Sequence, residues 1–299
     1  GPYAVEPPEE LCEALRDADV LMVHMCPVPA KLLDAAPRLK AVLVNRGGME
    51  NVDIPAATER GIAVLNNPAH NANSVAELTI ALMLSETRNL ARTHRNLMEG
   101  RWVENYRNAG HVFDLRGRTV GLLGFGNIGP LVARKLQAFD CEIRVWDPFI
   151  SPDKPELALY GCRLVDKETA LDSDIVSLHV RSDSQVLTRE DIAKLKPGCY
   201  FINTARPHLI NNQALYEALR DGRVMGAAFD VFMEEPISPD NPYLTLDNVT
   251  LSNHRGGVTE NCYSDSPAFL LGEMENYRAG RPVRFFVNER ELAAKRATN

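Results

Sequence analysis

The stretch Thr119-Val120-Gly121-Leu122-Leu123-Gly124-Phe125-Gly126-Asn127-Ile128-Gly129-Pro130 constrains the fold of this chain more than any other. An apolar strand runs into G-x-G-x-x-G, and Pro130, a residue type favoured in a first helical turn, opens the next element. Each glycine has its own use. Gly124 permits the tight turn, Gly126 lets a pyrophosphate approach the backbone with no Cβ in the way, and Gly129 lets helix and strand pack closely. Phosphates would rest at Gly126-Asn127-Ile128-Gly129, on the free N–H groups and positive dipole end of the helix. Taken alone the motif is weak, since a glycine-rich turn that binds nothing has the same letters. A second strand pattern ending at Trp146 and an acid, Asp147, roughly 20 residues along, complete the dinucleotide fingerprint. A carboxylate there accepts the ribose hydroxyls of NAD and repels the extra phosphate of NADP. Asp147-Pro148 is also a good turn dipeptide, and Arg144 would weaken the preference if it faced the loop.

The rest of the chain repeats the alternation. Apolar runs at 20–23, 41–44 and 62–65 are separated by helical patterns that start at Pro8-Glu9-Glu10, at Lys31-Leu32-Leu33 and at Ile54, which predicts an α/β unit with a parallel sheet. Residues 74–102 read as one long helix with Val75, Leu78, Leu82, Leu90 and Leu97 on a buried face and Gly100 as its stop. Its length suits a span between domains or a dimer contact. From Thr119, strands at 120–123, 143–146, 175–178, 200–203, 226–231 and 249–251 alternate with helices such as 130–139 and 213–220, a doubly wound domain. One more helix from Ser266 and a polar tail after Asn288 close the chain.

With 299 residues, 45% hydrophobic and 24% charged, there is material for two cores. The net charge of -7 argues against a surface built to grip nucleic acid or an anionic membrane, so a small-molecule partner is the expectation. Six dispersed cysteines without a C-x-x-C pair form neither a zinc pattern nor a disulfide framework, which predicts a metal-free protein of the reducing cytoplasm. No apolar run reaches the roughly 18 residues that cross a bilayer, no leader opens the chain, and Gly1-Pro2 reads as an added start.

The residues themselves lead to a nicotinamide dehydrogenase or another dinucleotide-binding protein. Within 200–259, Asn203-Thr204-Ala205-Arg206, then Gly226-Ala227-Ala228-Phe229-Asp230-Val231-Phe232-Met233-Glu234-Glu235-Pro236, then His254-Arg255-Gly256-Gly257 strongly resemble the D-2-hydroxyacid dehydrogenase family, of the phosphoglycerate dehydrogenase kind. Asn51-Val52-Asp53, the stretch 56–62 and residues 71–77 are similar to further family landmarks. The resemblance implies a Rossmann-type cofactor domain (97–264) inserted in a flavodoxin-like substrate domain (1–96 and 265–299), a cleft active site between them, and a homodimer. It also implies that the family's first strand and helix are missing upstream of Tyr3.

By the same resemblance Arg206 holds the substrate carboxylate and carbonyl oxygen, Glu235 pairs with the histidine, and His254 is the general acid/base. The chemistry suits these types. A hydride leaving the alpha carbon needs a base for the hydroxyl proton, a carboxylate favours the charged imidazole, and a guanidinium grips a planar carboxylate by two hydrogen bonds. Gly47 and Gly48 resemble the loop whose N–H groups bind the carboxylate, and Asp230 and Val75 the groups at the nicotinamide end. Thr204 and Gly256 join the cofactor set, and His179 is either structural or borders the cofactor.

Departures from the family pattern are Pro207 after the catalytic arginine, His24-Met25-Cys26 where relatives carry Arg-Ser, and Arg181 in place of a proline. Arg46, His24 and His208 predict a polar substrate pocket for a polyhydroxylated or phosphorylated acid, while the plainer reading gives Arg46 a structural salt bridge. The rival from another class is a dinucleotide-sensing co-regulator of the C-terminal binding protein kind, and formate and phosphite dehydrogenases are enzymatic alternatives on the same fold. Formate enzymes usually carry Gln where Glu235 stands.

Overall fold

The computed structural model describes residues 5–298, so the Gly1-Pro2 opening and Tyr3 lie outside the described residues. Backbone proximity divides the chain into a discontinuous unit, Gly1–Asn71 with Thr259–Asn299, and a continuous one, Ala72–Val258, inserted into it. In the first, α1 (Glu9–Leu15), β1 (Val20–Val23), α2 (Ala30–Asp34), β2 (Ala41–Val44), α3 (Ile54–Glu59) and β3 (Ala63–Asn66) alternate. The three strands are parallel in the order β1-β2-β3. All four residues of β2 are buried, as expected of a parallel strand covered on both faces. Asp53 caps α3 by accepting the Ala56 N–H at 3.0 Å.

The inserted unit runs α4 (Ala72–Thr87), α5 (Leu90–Met98), β4 (Thr119–Leu123), α6 (Gly129–Gln137), β5 (Glu142–Trp146), α7 (Pro155–Leu159), β6 (Cys162–Leu164) and α8 (Lys167–Leu171). It continues through β7 (Ile175–Leu178), α9 (Arg189–Ala193), β8 (Cys199–Asn203), α10 (Asn212–Arg220), β9 (Val224–Phe229) and β10 (Val249–Leu251). Its seven strands are all parallel in the order β6-β5-β4-β7-β8-β9-β10. That is the Rossmann order with one added strand, and the direction of winding reverses between β4 and β7.

The expected single helix over 74–102 is two helices. Asn89 takes a left-handed φ of 60° between α4 and α5. A buried ion pair accompanies the break: Arg92 donates to Glu86, to the Asn89 side chain and, at 2.9 Å, to the Asp247 carbonyl, while Thr250 donates to Glu86 at 2.6 Å. Burial raises the Glu86 carboxyl above its usual range, against the opposing pull of Arg92 and Thr250. Leu90 and Leu97, expected inside, are 63% and 50% exposed. Because α4 packs on β8, β9 and α6, the unit boundaries fall at 71/72 and 258/259 instead of 96/97 and 264/265. Gly100, with φ +73°, ends α5 as expected.

The chain returns to the first unit as α11 (Glu260–Arg278) and α12 (Glu289–Thr298), so much of the expected polar tail is helical. One face of the three-stranded sheet packs Val42, Val44 and Val64 against Leu32, Leu33 and Ala57. The other packs Ala41, Leu43, Ala63 and Leu65 against Leu270, Met274 and Leu292 of the returning segment. Asn288 stitches that segment down, accepting from the Val64 N–H at 2.8 Å and donating to Thr58 Oγ1 at 2.8 Å and the Ile62 carbonyl at 3.0 Å. Among the described residues no helix is long and apolar enough to cross a membrane.

Candidate active site

In open parallel sheets ligands bind beyond the carboxyl ends of the strands, at the point where the winding reverses. Gly124 follows β4 there with φ +98°, and a Cβ on it would stand 2.7 Å from the His179 carbonyl carbon and the Val180 nitrogen. At Gly126 a Cβ would meet nothing within 4 Å, so the loop is open on that side. α6 opens immediately afterwards with Pro130 in its first turn. Asp147, at the end of β5, accepts the Phe125 N–H at 2.8 Å with one oxygen and the Phe149 N–H at 2.9 Å with the other. It therefore braces the glycine loop as well as keeping lone pairs for a ribose. These features fit a dinucleotide: an uncluttered loop, a helix start behind it and a carboxylate at the neighbouring strand end.

His179, at the end of β7, is buried and bonds Ser177 Oγ through Nε2 at 2.9 Å, while its Nδ1 has no partner among the described residues. Burial pushes its imidazole down to about 3, so the ring is neutral, and the His179–Val180 backbone lies against Gly124. Thr204 Oγ1 is 2.9 Å from Thr79 Oγ1, and Thr79 donates to the Val75 carbonyl at 2.8 Å. Thr204 and Val75 are thus both buried in the junction of α4 with β8.

Past the ends of β8, β9 and β10 stand Arg206, Glu235 and His254. His254 Nδ1 lies 2.6 Å from Glu235 Oε2, and Glu235 Oε1 accepts the Phe232 N–H at 2.9 Å. Partial burial raises the Glu235 carboxyl, but the His254 and Phe232 hydrogen bonds, with Arg206 adding positive charge, outweigh it and hold the group below its usual value. Glu235 is therefore a carboxylate at neutral pH, with the imidazole fixed through Nδ1 and Nε2 left for chemistry. Arg206 has an extended backbone (φ -144°, ψ 145°), the conformation preferred before proline, and Pro207 begins a short 3-10 turn, so the anomaly after the arginine is accommodated without strain. The guanidinium donates at 2.7 Å to the Ala205 carbonyl, and the side chain is exposed. Asn211 caps α10, accepting the Ala214 N–H at 2.9 Å.

Asp230 takes a place that the sequence did not indicate. It is 2% exposed, and its carboxylate accepts from Ser252 Oγ, from the Arg255 N–H at 2.9 Å and from the Gly256 N–H at 2.9 Å. Those residues flank His254, whose φ of 54° is left-handed and costs a residue with a side chain roughly 1–2 kcal/mol. Asp230 clasps the loop that presents the imidazole.

In the discontinuous unit, Asn45-Arg46-Gly47-Gly48 follows β2. Among the described residues neither the Gly47 nor the Gly48 N–H has a protein acceptor, which leaves both for a ligand carboxylate. Arg46 lies 3.3 Å from Glu50 and 2.9 Å from Met25 Sδ, so the structural salt bridge is present. His24 bonds the Asn45 carbonyl at 2.7 Å and stacks edge-on against His70, with ring centroids 5.8 Å apart. His70, on the loop after β3, is invisible in the sequence because nothing in the pattern around it marks a site. Burial, then the nearby charges of His24 and Arg46, hold its imidazole below the usual value. His208 belongs to the other unit and bonds the Ser182 carbonyl at 2.9 Å.

A glycine loop at the reversal point of a Rossmann sheet, with a carboxylate–imidazole pair at neighbouring strand ends, defines a dinucleotide-binding protein equipped for proton transfer. The chain belongs to the D-isomer specific 2-hydroxyacid dehydrogenase family: residues 80–256, more than half of it, match that family's NAD binding domain. It is 36% identical over 285 residues to D-3-phosphoglycerate dehydrogenase of Archaeoglobus fulgidus, covering 94% of this chain and 53% of the relative. To hydroxypyruvate reductase of Thermotoga maritima it is 40% identical over 258 residues, covering 84% of this chain and 82% of the relative. The chain thus spans about half the length of the phosphoglycerate dehydrogenases it matches. Among solved structures, TT0316 protein from Thermus thermophilus superposes with a TM-score of 0.75 at 29% identity, over 95% of this chain and 91% of that one.

Proposed function

We propose that the protein transfers a hydride between nicotinamide and the alpha carbon of a small 2-hydroxy or 2-keto acid. The observation that carries this reading is the 2.6 Å contact between Glu235 and His254, in the same unit as the glycine loop. Bound NAD supplies the hydride acceptor. His254 Nε2 takes the hydroxyl proton as the alcohol is oxidised, and returns it to the carbonyl oxygen in the reverse direction. Glu235 stabilises the imidazolium formed meanwhile. Arg206 offers the unspent part of its guanidinium to the substrate carboxylate and carbonyl oxygen; the role of the Gly47 and Gly48 N–H groups rests on their resemblance to the family's carboxylate-binding loop alone. His254→Ala tests the reading: turnover of glyoxylate or hydroxypyruvate is abolished while NADH still binds. Retained turnover removes His254 from the acid/base role.

The finer readings rest on particular side chains. NAD is preferred over NADP because Asp147 stands at the ribose end of the fingerprint. A hydroxylated or phosphorylated acid fits the polar cluster of His24, Arg46 and His70. A homodimer is supported by the apolar side chains of α5 and its extension, where Met98 and Trp102 are 75% and 81% exposed alongside Leu90 and Leu97. A cytoplasmic setting suits six cysteines without a disulfide, of which Cys141, Cys162 and Cys199 are pushed by burial up to about 11, 12 and 12 and so stay unreactive thiols. The co-regulator reading predicts NADH binding without an ordinary turnover number, which the same assay separates.

A further inference from the structure

A cavity lies at the end of the seven-stranded sheet opposite the glycine loop. It encloses about 270 Å³ where β4, β7 and β8 begin, and Arg118, Asp174, Lys196 and His111 line it together with Phe113 and Gly198. Its size is near the lower bound of about 300 Å³ for ligand pockets, which suits a metabolite.

The charges on its wall do not cancel. Asp174 is already answered, accepting from Lys196 at 2.8 Å, from the Thr119 N–H at 2.9 Å and from the Thr119 hydroxyl at 3.0 Å. Asp114, in the adjoining depression with Arg116, is paired with Arg88 at 3.3 Å. Among the described residues Arg118 and Arg116 have no carboxylate within ion-pair distance, although the chain carries a net charge of -7. Arg118 is held in place, its guanidinium 4.3 Å above the centre of the Phe113 ring, with its donors unspent. Lys196 keeps two of its three donors after Asp174. Among the described residues the Phe113 N–H lacks a protein acceptor as well.

We propose that this cavity binds a small dianion, a phosphate monoester or a dicarboxylate, gripped by Arg118 and Lys196 with Arg116 and His111 at the rim. A cation pre-fixed on an aromatic face loses little freedom on binding, and a guanidinium matches two anionic oxygens at once. The site faces away from the strand ends that carry Gly124, Asp147 and His254, so its occupant does not compete with the cofactor.

The probe is inorganic phosphate, titrated into the full chain with NADH at saturation so that the glycine loop is occupied, and followed by phosphorus NMR. Binding that weakens at least about tenfold in Arg118→Gln, as loss of a charge-assisted hydrogen bond requires, and that is unchanged in Arg206→Gln is the expected result. Affinity unchanged in Arg118→Gln, or lost in Arg206→Gln, overturns the proposal. Hydrogen exchange on the unmutated protein keeps the test open should Arg118→Gln fold poorly: phosphate should slow exchange across residues 110–118 and 196–199. No protection there, including because a partner copy already covers the cavity, also overturns it.

Discussion

Replacing Asp230 by Asn separates two roles for this residue, a clasp on the histidine loop and a direct partner of the nicotinamide. With the amide oxygen in the Oδ1 position, the bonds from Ser252 and Arg255 survive, and the amide nitrogen faces the Gly256 N–H, donor against donor. One charge-assisted hydrogen bond is lost and a buried N–H is orphaned, at about 1.5–3 kcal/mol. The inserted unit spans Ala72–Val258, and for a domain of that size each kcal/mol lowers Tm by about 2–4 °C, so the drop is about 3–12 °C. His254 gains about 1–2 kcal/mol by leaving its left-handed backbone once the clasp opens. A displacement of about 1 Å costs on the order of 100-fold in rate. Steady-state reduction of glyoxylate, thermal melting and NADH fluorescence titration measure the three quantities, and the expectation is a kcat about 100-fold lower with NADH affinity kept. Unchanged kcat and Tm refute the clasp. A variant with full kcat but weakened NADH binding returns Asp230 to the nicotinamide.

Glu235→Gln should move the pH limb of keto-acid reduction to lower pH, because a neutral partner stabilises the imidazolium less; an unmoved limb means that the 2.6 Å contact is absent in solution. Asp147→Ser should narrow the NAD/NADP ratio of kcat/KM and also raise KM for NAD, since Asp147 braces Phe125; equal use of both cofactors before mutation removes Asp147 from selectivity. Arg46→Ala should lower kcat/KM for a hydroxylated acid more than for pyruvate, and an equal loss on both leaves Arg46 only its contacts with Glu50 and Met25. Burial raises Asp191, but Lys167 and the Thr188 N–H hold it below its ordinary 3.8. A depressed carboxyl stabilises the fold above that value and ceases to as pH falls through the lowered one, so Asp191→Asn should flatten the loss of Tm between about pH 5 and pH 2. A melting curve as steep in acid as that of the unmutated protein contradicts this.

The strand–loop–helix at Gly124, the spacing to Asp147 and the strands on both sides were readable because each is local: periodicity, turn chemistry and a short motif. Arg206, Glu235 and His254 could be named only by resemblance, since each sits in irregular chain where its neighbours carry no pattern. The break at Asn89 was hidden because leucines recur at helical spacing across it, while the buried Glu86–Arg92 pair that accompanies it is completed by Thr250, far along the chain. His70 and the clasp of Asp230 are tertiary in the same sense. β6 escaped because three residues at a sheet edge, only partly buried, carry too little apolar signal.

The ribosome makes the discontinuous unit in two instalments. Residues 41–66, with Ala41, Leu43, Ala63 and Leu65 on one sheet face, emerge first, and the side chains that cover that face, Leu270, Met274 and Leu292, come only after Ala72–Val258 has been made. At roughly 5–20 residues per second, that interval lasts on the order of 10–40 s. During it the nascent chain carries an uncovered apolar sheet beside an inserted unit whose own strands are contiguous and free to fold. Asn288 arrives after Leu270 and Met274, and its three hydrogen bonds to Thr58, Ile62 and Val64 close a loop more than 220 residues long. Late closure of this kind leaves one apolar face of β2 and β3 open during synthesis, the kind of surface through which nascent chains associate.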